Sequence, residues 1–117
     1  MEEKVKISML CEFYGKLLTE KQYELINDYY NNDLSLSEIA ENNDITRQAV
    51  RDIIKKGEKK LFEYEEKLKF MQRTLDQEKK IEKALSKLLE IQKKYPNQQI
   101  EKALEDIKEE LDSTLYK

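Results

Sequence analysis

The chain has 117 residues, enough for one compact domain with an appendage and too few for two full-sized domains. Charged residues make up 40% of it, with only one proline and two glycines, which fits long uninterrupted helices and excludes a turn-rich all-β domain. Histidine is absent and Cys11 is the only cysteine, so the usual metal sites, nucleophile–histidine pairs and intrachain disulfides are excluded, and no glycine-rich phosphate cradle is present.

The expectation from these limits is an all-α protein that is not an enzyme and takes no cofactor, metal or small-molecule substrate. Carboxylates are plentiful, but they alternate with lysines along helical stretches, the pattern of solvated faces. Residues 1–15 carry charges and no continuous apolar core, so they do not read as a signal peptide. No run approaches membrane-spanning length. A cytoplasmic protein without membrane insertion is expected, with Cys11 a small core residue.

In chain order, a first helix is predicted from Glu3 to Gly15, with Val5, Ile7, Met9, Leu10, Phe13 and Tyr14 as its apolar surface. Thr19 followed by Glu-Lys-Gln forms a capping box at the start of a second, amphipathic helix containing Tyr23, Leu25, Ile26, Tyr29 and Tyr30. Asn31 to Asp33 break it, and Ser35 or Ser37 caps a third helix whose inward positions are Leu36, Ile39 and Ala40. Asn42, Asn43 and Asp44 make the next turn. Thr46 caps a fourth helix, which buries Val50, Ile53 and Ile54 and turns Arg47, Gln48, Arg51, Asp52, Lys55 and Lys56 outward. Two helices meeting at such a turn, with small Ala40 at their approach, form a helix-turn-helix pattern.

Beyond it, Leu61, Tyr64, Leu68, Met71 and Leu75 follow at coiled-coil-like spacing. That seam loses phase before Ile81, Leu85, Leu88 and Tyr95 begin a second stripe, which predicts a bend or break near residues 74–78. Tyr95-Pro96-Asn97 is the clearest stop signal. Ile100, Leu104, Ile107, Leu111 and Leu115 define a last helix. Residues 1–62 are therefore expected to form the helix-turn-helix domain and 63–117 a helical extension, joined within a continuous helix near 60–65.

The candidate recognition helix carries the equipment of a major-groove reader. Arg47 and Arg51 stand four apart and suit bidentate bonds to guanine, Gln48 suits adenine, and Lys55, Lys56, Lys59 and Lys60 suit phosphates. Thr46, as the residue opening this helix, belongs to the same candidate surface. Residues 46–60 hold six basic and two acidic side chains, against a net charge of −3 for the whole chain, so any attraction to phosphate is local and salt-sensitive. The alternative is a solvated face with Asp52 bonded to Gln48 or Lys56 across one turn. Tyr14, Tyr29, Tyr30 and Tyr64 are conceivable stacking platforms for single-stranded RNA, but their helical positions favour packing.

The stretch LTEKQYELINDYYNNDLSLSEIAENNDITRQAVRDIIKKGEKKL, residues 18–61, resembles region 4 of bacterial sigma factors and, more closely, the YlxM family of small helix-turn-helix proteins. The pieces that carry the likeness are LTEKQ, YYNNDLSLSEIAE, and TRQAV followed by EKKL. It extends weakly through EYEEKL to span about residues 3–70. The resemblance implies a sigma-region-4-like helix-turn-helix domain with a long helical C-terminal extension, in a bacterial protein encoded beside the signal recognition particle GTPase and linked to that pathway. It places the nucleic-acid contacts, to DNA or to the particle's RNA, on Arg47, Gln48 and Arg51. One departure is visible: Asn43 and Asp44 stand where such motifs usually carry an apolar residue and then a glycine-like turn residue.

Two functions are therefore expected to compete. One is a nucleic-acid-binding accessory or regulatory protein acting through Thr46, Arg47, Gln48, Arg51, Lys55, Lys56 and Lys59. The other is a protein-interaction module whose C-terminal helices bind a partner, including signal recognition particle components. In either case a homodimer or partner interface is expected through Leu68, Met71, Leu75, Leu104, Ile107 and Leu111.

Overall fold

The computed structural model describes residues 1–115, and all regular structure among them is helical. The elements are α1 (Glu3–Tyr14), a 3₁₀ turn (Gly15–Leu17), α2 (Glu20–Tyr30), α3 (Leu36–Asn43), α4 (Arg47–Leu68), α5 (Phe70–Lys94) and α6 (Gln98–Leu115). The chain divides into two compact units, Met1–Gln72 and Arg73–Lys117.

Local chemistry sets the helix starts in the first unit. At Thr19 both halves of the expected capping box form: the Gln22 amide donates to Thr19 Oγ1 at 3.2 Å and the Thr19 amide to Gln22 Oε1 at 3.1 Å. Of the two serines considered for α3, Ser35 is the cap, and it makes a second reciprocal box with Glu38 at 3.0 and 3.1 Å. Ser37 lies within α3.

α4 is the centre of the unit and packs against α1, α2 and α3. Ile7, Leu10 and Tyr14 from α1, Leu25 and Ile26 from α2, Ile39 from α3, and Val50 and Leu61 from α4 are sealed from solvent. Cys11 is buried beside them, as expected, and burial pushes its thiol pKa up, which makes it a poor nucleophile. Gly57 lies where α4 crosses α2: a Cβ there would stand 2.5 Å from Ile26 Cδ1 and 3.3 Å from Gln22 Cβ.

Two tyrosine–carboxylate bonds tie distant elements together. Tyr30 donates to Glu58, joining the end of α2 to the middle of α4. Tyr14 Oη donates to Glu65 Oε1 at 2.6 Å and accepts from the Phe70 amide at 3.1 Å. Tyr14→Phe removes the acceptor of Phe70 and a donor to Glu65 while leaving the ring buried. It is expected to cost about 2 kcal/mol in urea unfolding, close to the penalty of a hydrogen-bond partner lost inside a fold.

Burial foremost, and then the carboxylate each hydroxyl faces, raises the pKa of both Tyr14 and Tyr30 above the ordinary 10.0. The unfolded chain releases these protons near pH 10 and the folded one only at higher pH. Their contribution to stability is therefore complete below about pH 10 and is lost as the pH rises through the folded values. The urea midpoint should fall above pH 10, and less steeply in Tyr30→Phe.

The bend expected near residues 74–78 is not there. Residues 74–78 are uninterrupted helix within α5, and the chain breaks instead at Lys69, which takes φ 56 and ψ 27. Leu75 and Ile81 both belong to the second unit, and only the N-terminal end of α5, up to Gln72, belongs to the first.

The second unit follows the predicted stripes in part, since Tyr95 and Ile107 are exposed. Ile81, Leu85 and Leu88 are the half-buried row of α5, and Leu104 is the buried residue of α6. Pro96 ends α5 after Lys94, and Asn97 caps α6, its Oδ1 accepting from the Gln99 amide at 2.8 Å. The side chain of Leu115, the last member of the predicted stripe, lies outside the described residues. No helix among the described residues is long and apolar enough to cross a membrane.

Candidate nucleic-acid interface

The turn between α3 and α4 is built by backbone bonds closing the end of α3. Asp44 sits at φ 54, ψ 44, its amide bonded to the Glu41 carbonyl at 3.3 Å and the Ile45 amide to the Ala40 carbonyl at 3.1 Å, the paired bonds of a Schellman motif. Aspartate tolerates this left-handed conformation better than most residues, so the missing glycine does not prevent the turn. Asn43, in place of an apolar anchor, is half-buried and clamped from both sides. Its Nδ2 donates to the Ile39 carbonyl at 2.8 Å, and its Oδ1 accepts from Lys21 Nζ of α2 at 2.8 Å. Polar bonds here fix what an apolar contact fixes in other motifs.

Thr46 then opens α4 as its cap, Oγ1 accepting from the Ala49 amide at 3.0 Å. Its hydroxyl proton is left to donate, which suits a phosphate oxygen at the helix start. Thr46→Ala is expected to cost about 1 kcal/mol of stability in thermal or urea unfolding, the usual worth of such a cap.

Arg47, Gln48, Arg51, Lys55, Lys56 and Lys59 are all exposed. The five cations among them make no hydrogen bond or ion pair with any described residue. Arg47, Arg51 and Lys55 recur every four residues, so they climb one side of α4 with a rise of about 6 Å per step. The first turn of α4 holds no acidic residue and begins with Arg47. That charge opposes the helix dipole in the free protein, a cost an incoming anion would offset. Gln48 differs from its neighbours: its Nε2 donates to Asp52 Oδ1 at 3.0 Å, the bond weighed from sequence as part of a solvated face. To read an adenine edge it has to exchange that bond.

The residues expected to form a dimer or partner surface separate into three groups. Met71 is buried within the first unit and Leu104 within the second, so neither is available to a partner while its unit is folded. Leu75 and Leu111 are half-buried, and Leu68 and Ile107 are exposed, Ile107 to 39%. The seam from Leu61 to Leu75 is not one free face, because Leu61 is sealed in the core and Lys69 interrupts the helix. Exposed apolar residues that sequence reading passed over include Leu89 and Ile91, while Tyr95, read as part of a stripe, is 61% exposed.

Of the tyrosines considered as stacking platforms, Tyr14 is sealed in the core and Tyr30 and Tyr64 are half-buried. Tyr29 is exposed, and its ring meets Tyr30 edge to face at 5.0 Å. Among the described residues no group of three or more His, Cys, Asp or Glu could hold a metal ion.

Comparison with known proteins agrees with this architecture. Residues 1–112 match the model of a family described as "UPF0122: Putative helix-turn-helix protein, YlxM / p13 like". A UPF0122 protein of Fusobacterium nucleatum subsp. nucleatum is 43% identical over 107 residues, covering 92% of this chain and 97% of the relative. One from Clostridium perfringens is 44% identical over 111 residues, covering 89% and 98%. One from Malacoplasma penetrans is 56% identical over 68 residues, covering 58% and 64%. The chain thus belongs to the YlxM/p13-like helix-turn-helix family.

Proposed function

We propose that this protein is a cytoplasmic nucleic-acid-binding accessory or regulatory protein linked to the signal recognition particle pathway, and that it works through the exposed face of α4. The observation that carries this reading is the row of unengaged cations, Arg47, Arg51, Lys55, Lys56 and Lys59, on a helix opened by a capped helix-turn-helix turn. In a chain of net charge −3, residues 46–60 hold six basic and two acidic side chains, a local excess that supports phosphate binding by this patch. Arg47 and Arg51 take the base-reading or closest phosphate contacts, Gln48 reads after releasing Asp52, Thr46 donates to a phosphate, and the lysines hold the backbone on either side.

The link to the signal recognition particle rests on the family resemblance, which makes the particle's RNA, and DNA near its own operon, the two ligands to test. Helices up to residue 62 carry the nucleic-acid role in this reading, and residues 63–117 serve dimerisation or binding of particle components through exposed Leu68 and Ile107. A second reading, in which the C-terminal helices bind a protein partner and α4 is only a scaffold, is favoured by the exposure of Leu89, Ile91 and Tyr95.

The test is fluorescence anisotropy of labelled signal recognition particle RNA and of a duplex from upstream DNA, each titrated with the protein across a salt series. Saturable binding that weakens as salt rises supports the α4 reading. Preference for the RNA makes the protein a targeting accessory, and site-specific duplex binding makes it a regulator. Absence of binding to either at low salt rejects it in favour of the partner-binding reading.

A further inference from the structure

The break at Lys69 has no cause in the local sequence. Residues 63–72 read EYEEKLKFMQ, without glycine, proline, asparagine or serine, and such a segment suits a helix throughout. Lys69 nevertheless takes φ 56 and ψ 27, a left-handed conformation that glycine adopts freely and lysine does not. The apolar spacing also passes through the break in phase, from Leu61, Tyr64 and Leu68 to Met71 and Leu75. Local preference and tertiary structure thus disagree at one residue, as they do where two packings of one segment compete.

One carboxylate and one phenol hydroxyl hold the break. Glu65 Oε1 accepts from the Met71 amide at 3.1 Å and Oε2 from the Gln72 amide at 3.0 Å, while Tyr14 Oη, bonded to the same carboxylate, takes the Phe70 amide. In a continuous helix these three amides would bond to the carbonyls of residues 66, 67 and 68. Glu65 and Tyr14 therefore supply the three acceptors that the break removes. The Lys69 amide keeps its helical bond to the Glu65 carbonyl at 2.9 Å. Burial of Met71 and the stacked Tyr14 and Phe70 rings, 6.4 Å apart, add to the hold.

We propose that residue 69 is a two-state hinge latched in the broken form by Glu65 and Tyr14. Release of the latch fuses α4 and α5 into one helix over residues 47–94. In the fused form Met71 leaves the core and the row from Leu61 to Leu75 lies along one helix face. The inference stands on the joint alone and does not depend on what that face binds.

Lys69 is exposed, so replacing it leaves the core untouched. The test is NMR on the full chain, following the Cα shift of residue 69, Tyr14-to-Phe70 ring NOEs, and relaxation dispersion at residues 68–72. Valine strongly disfavours the left-handed region, so Lys69→Val is expected to raise the helical state at residue 69 by five-fold or more. Lys69→Gly should lower it on the order of ten-fold. Glu65→Ala should make it the major state, with the ring NOEs lost and residues 69–72 showing helical shifts. The hinge is overturned if Lys69→Val keeps a left-handed shift at residue 69 with no exchange. It is equally overturned if Glu65→Ala unfolds the first unit without a helical shift at residue 69.

Discussion

Gly57→Leu is expected to destabilise the first unit by at least about 3 kcal/mol, enough to leave much of it unfolded at 37 °C if its stability is ordinary for its size. Glycine costs an isolated helix roughly 1 kcal/mol relative to alanine, so its place in the middle of α4 needs a reason outside the helix. The reason is the crossing with α2, where even one methyl group would stand 2.5 Å from Ile26 Cδ1 and 3.3 Å from Gln22 Cβ. Ile26 is sealed in the core and cannot swing into solvent. Gly57→Ala gains helix propensity while displacing the tip of Ile26, and its net cost should stay within about 2 kcal/mol. Leucine adds three further carbons that the crossing cannot hold, so the helices must separate, and the core of α1, α2 and α4 with them. Urea unfolding followed by circular dichroism would show the alanine variant with a modestly lower midpoint and the leucine variant with little or no native baseline.

The elements written most clearly in the sequence are those fixed by local chemistry. The Thr19 capping box, the Ser35 cap, the Asp44 turn, the Thr46 cap and the Pro96 stop each rest on residue types that bond within a few positions. Apolar spacing likewise identifies Ile39, Val50 and Ile54 as inward residues. The break at Lys69 is not legible, because the bonds that hold it come from Tyr14, some fifty residues upstream, and from a carboxylate that reads as one of many solvated glutamates. For the same reason Met71 reads as a seam residue when it is a core residue. Gly57 offers a signal that could have been used: a lone glycine inside a strongly helical, lysine-rich stretch marks a close helix crossing. The exposure of the α4 cations follows directly from helical period, whereas the Asn43 clamp depends on Lys21 of a different helix.

Reversing charge at Arg47 and Arg51 together is expected to weaken nucleic-acid binding by about a hundred-fold or more. In the proposed binding mode each arginine supplies either a bidentate base contact, worth about 1–3 kcal/mol, or a phosphate contact whose loss also lowers the salt slope by about one. Glutamate in its place adds repulsion to that loss. Both side chains are exposed and unengaged among the described residues, so the fold should be unaffected. An acidic residue at position 47 suits the N-terminal turn of α4 better than arginine does. Helicity and the unfolding midpoint should therefore be unchanged or slightly improved, which separates lost contacts from lost structure. Lys79→Glu/Lys80→Glu, an equal change of charge on α5 and outside the first unit, controls for net charge.

The decisive measurement is the anisotropy titration of signal recognition particle RNA and of duplex DNA with three proteins, the original chain, Arg47→Glu/Arg51→Glu and Lys79→Glu/Lys80→Glu, at several salt concentrations. The expected result is loss of affinity and a shallower salt dependence in the α4 variant, with the α5 variant close to the original chain. Equal affinities and equal salt slopes for the α4 variant and the original chain would show that this face does not bind nucleic acid.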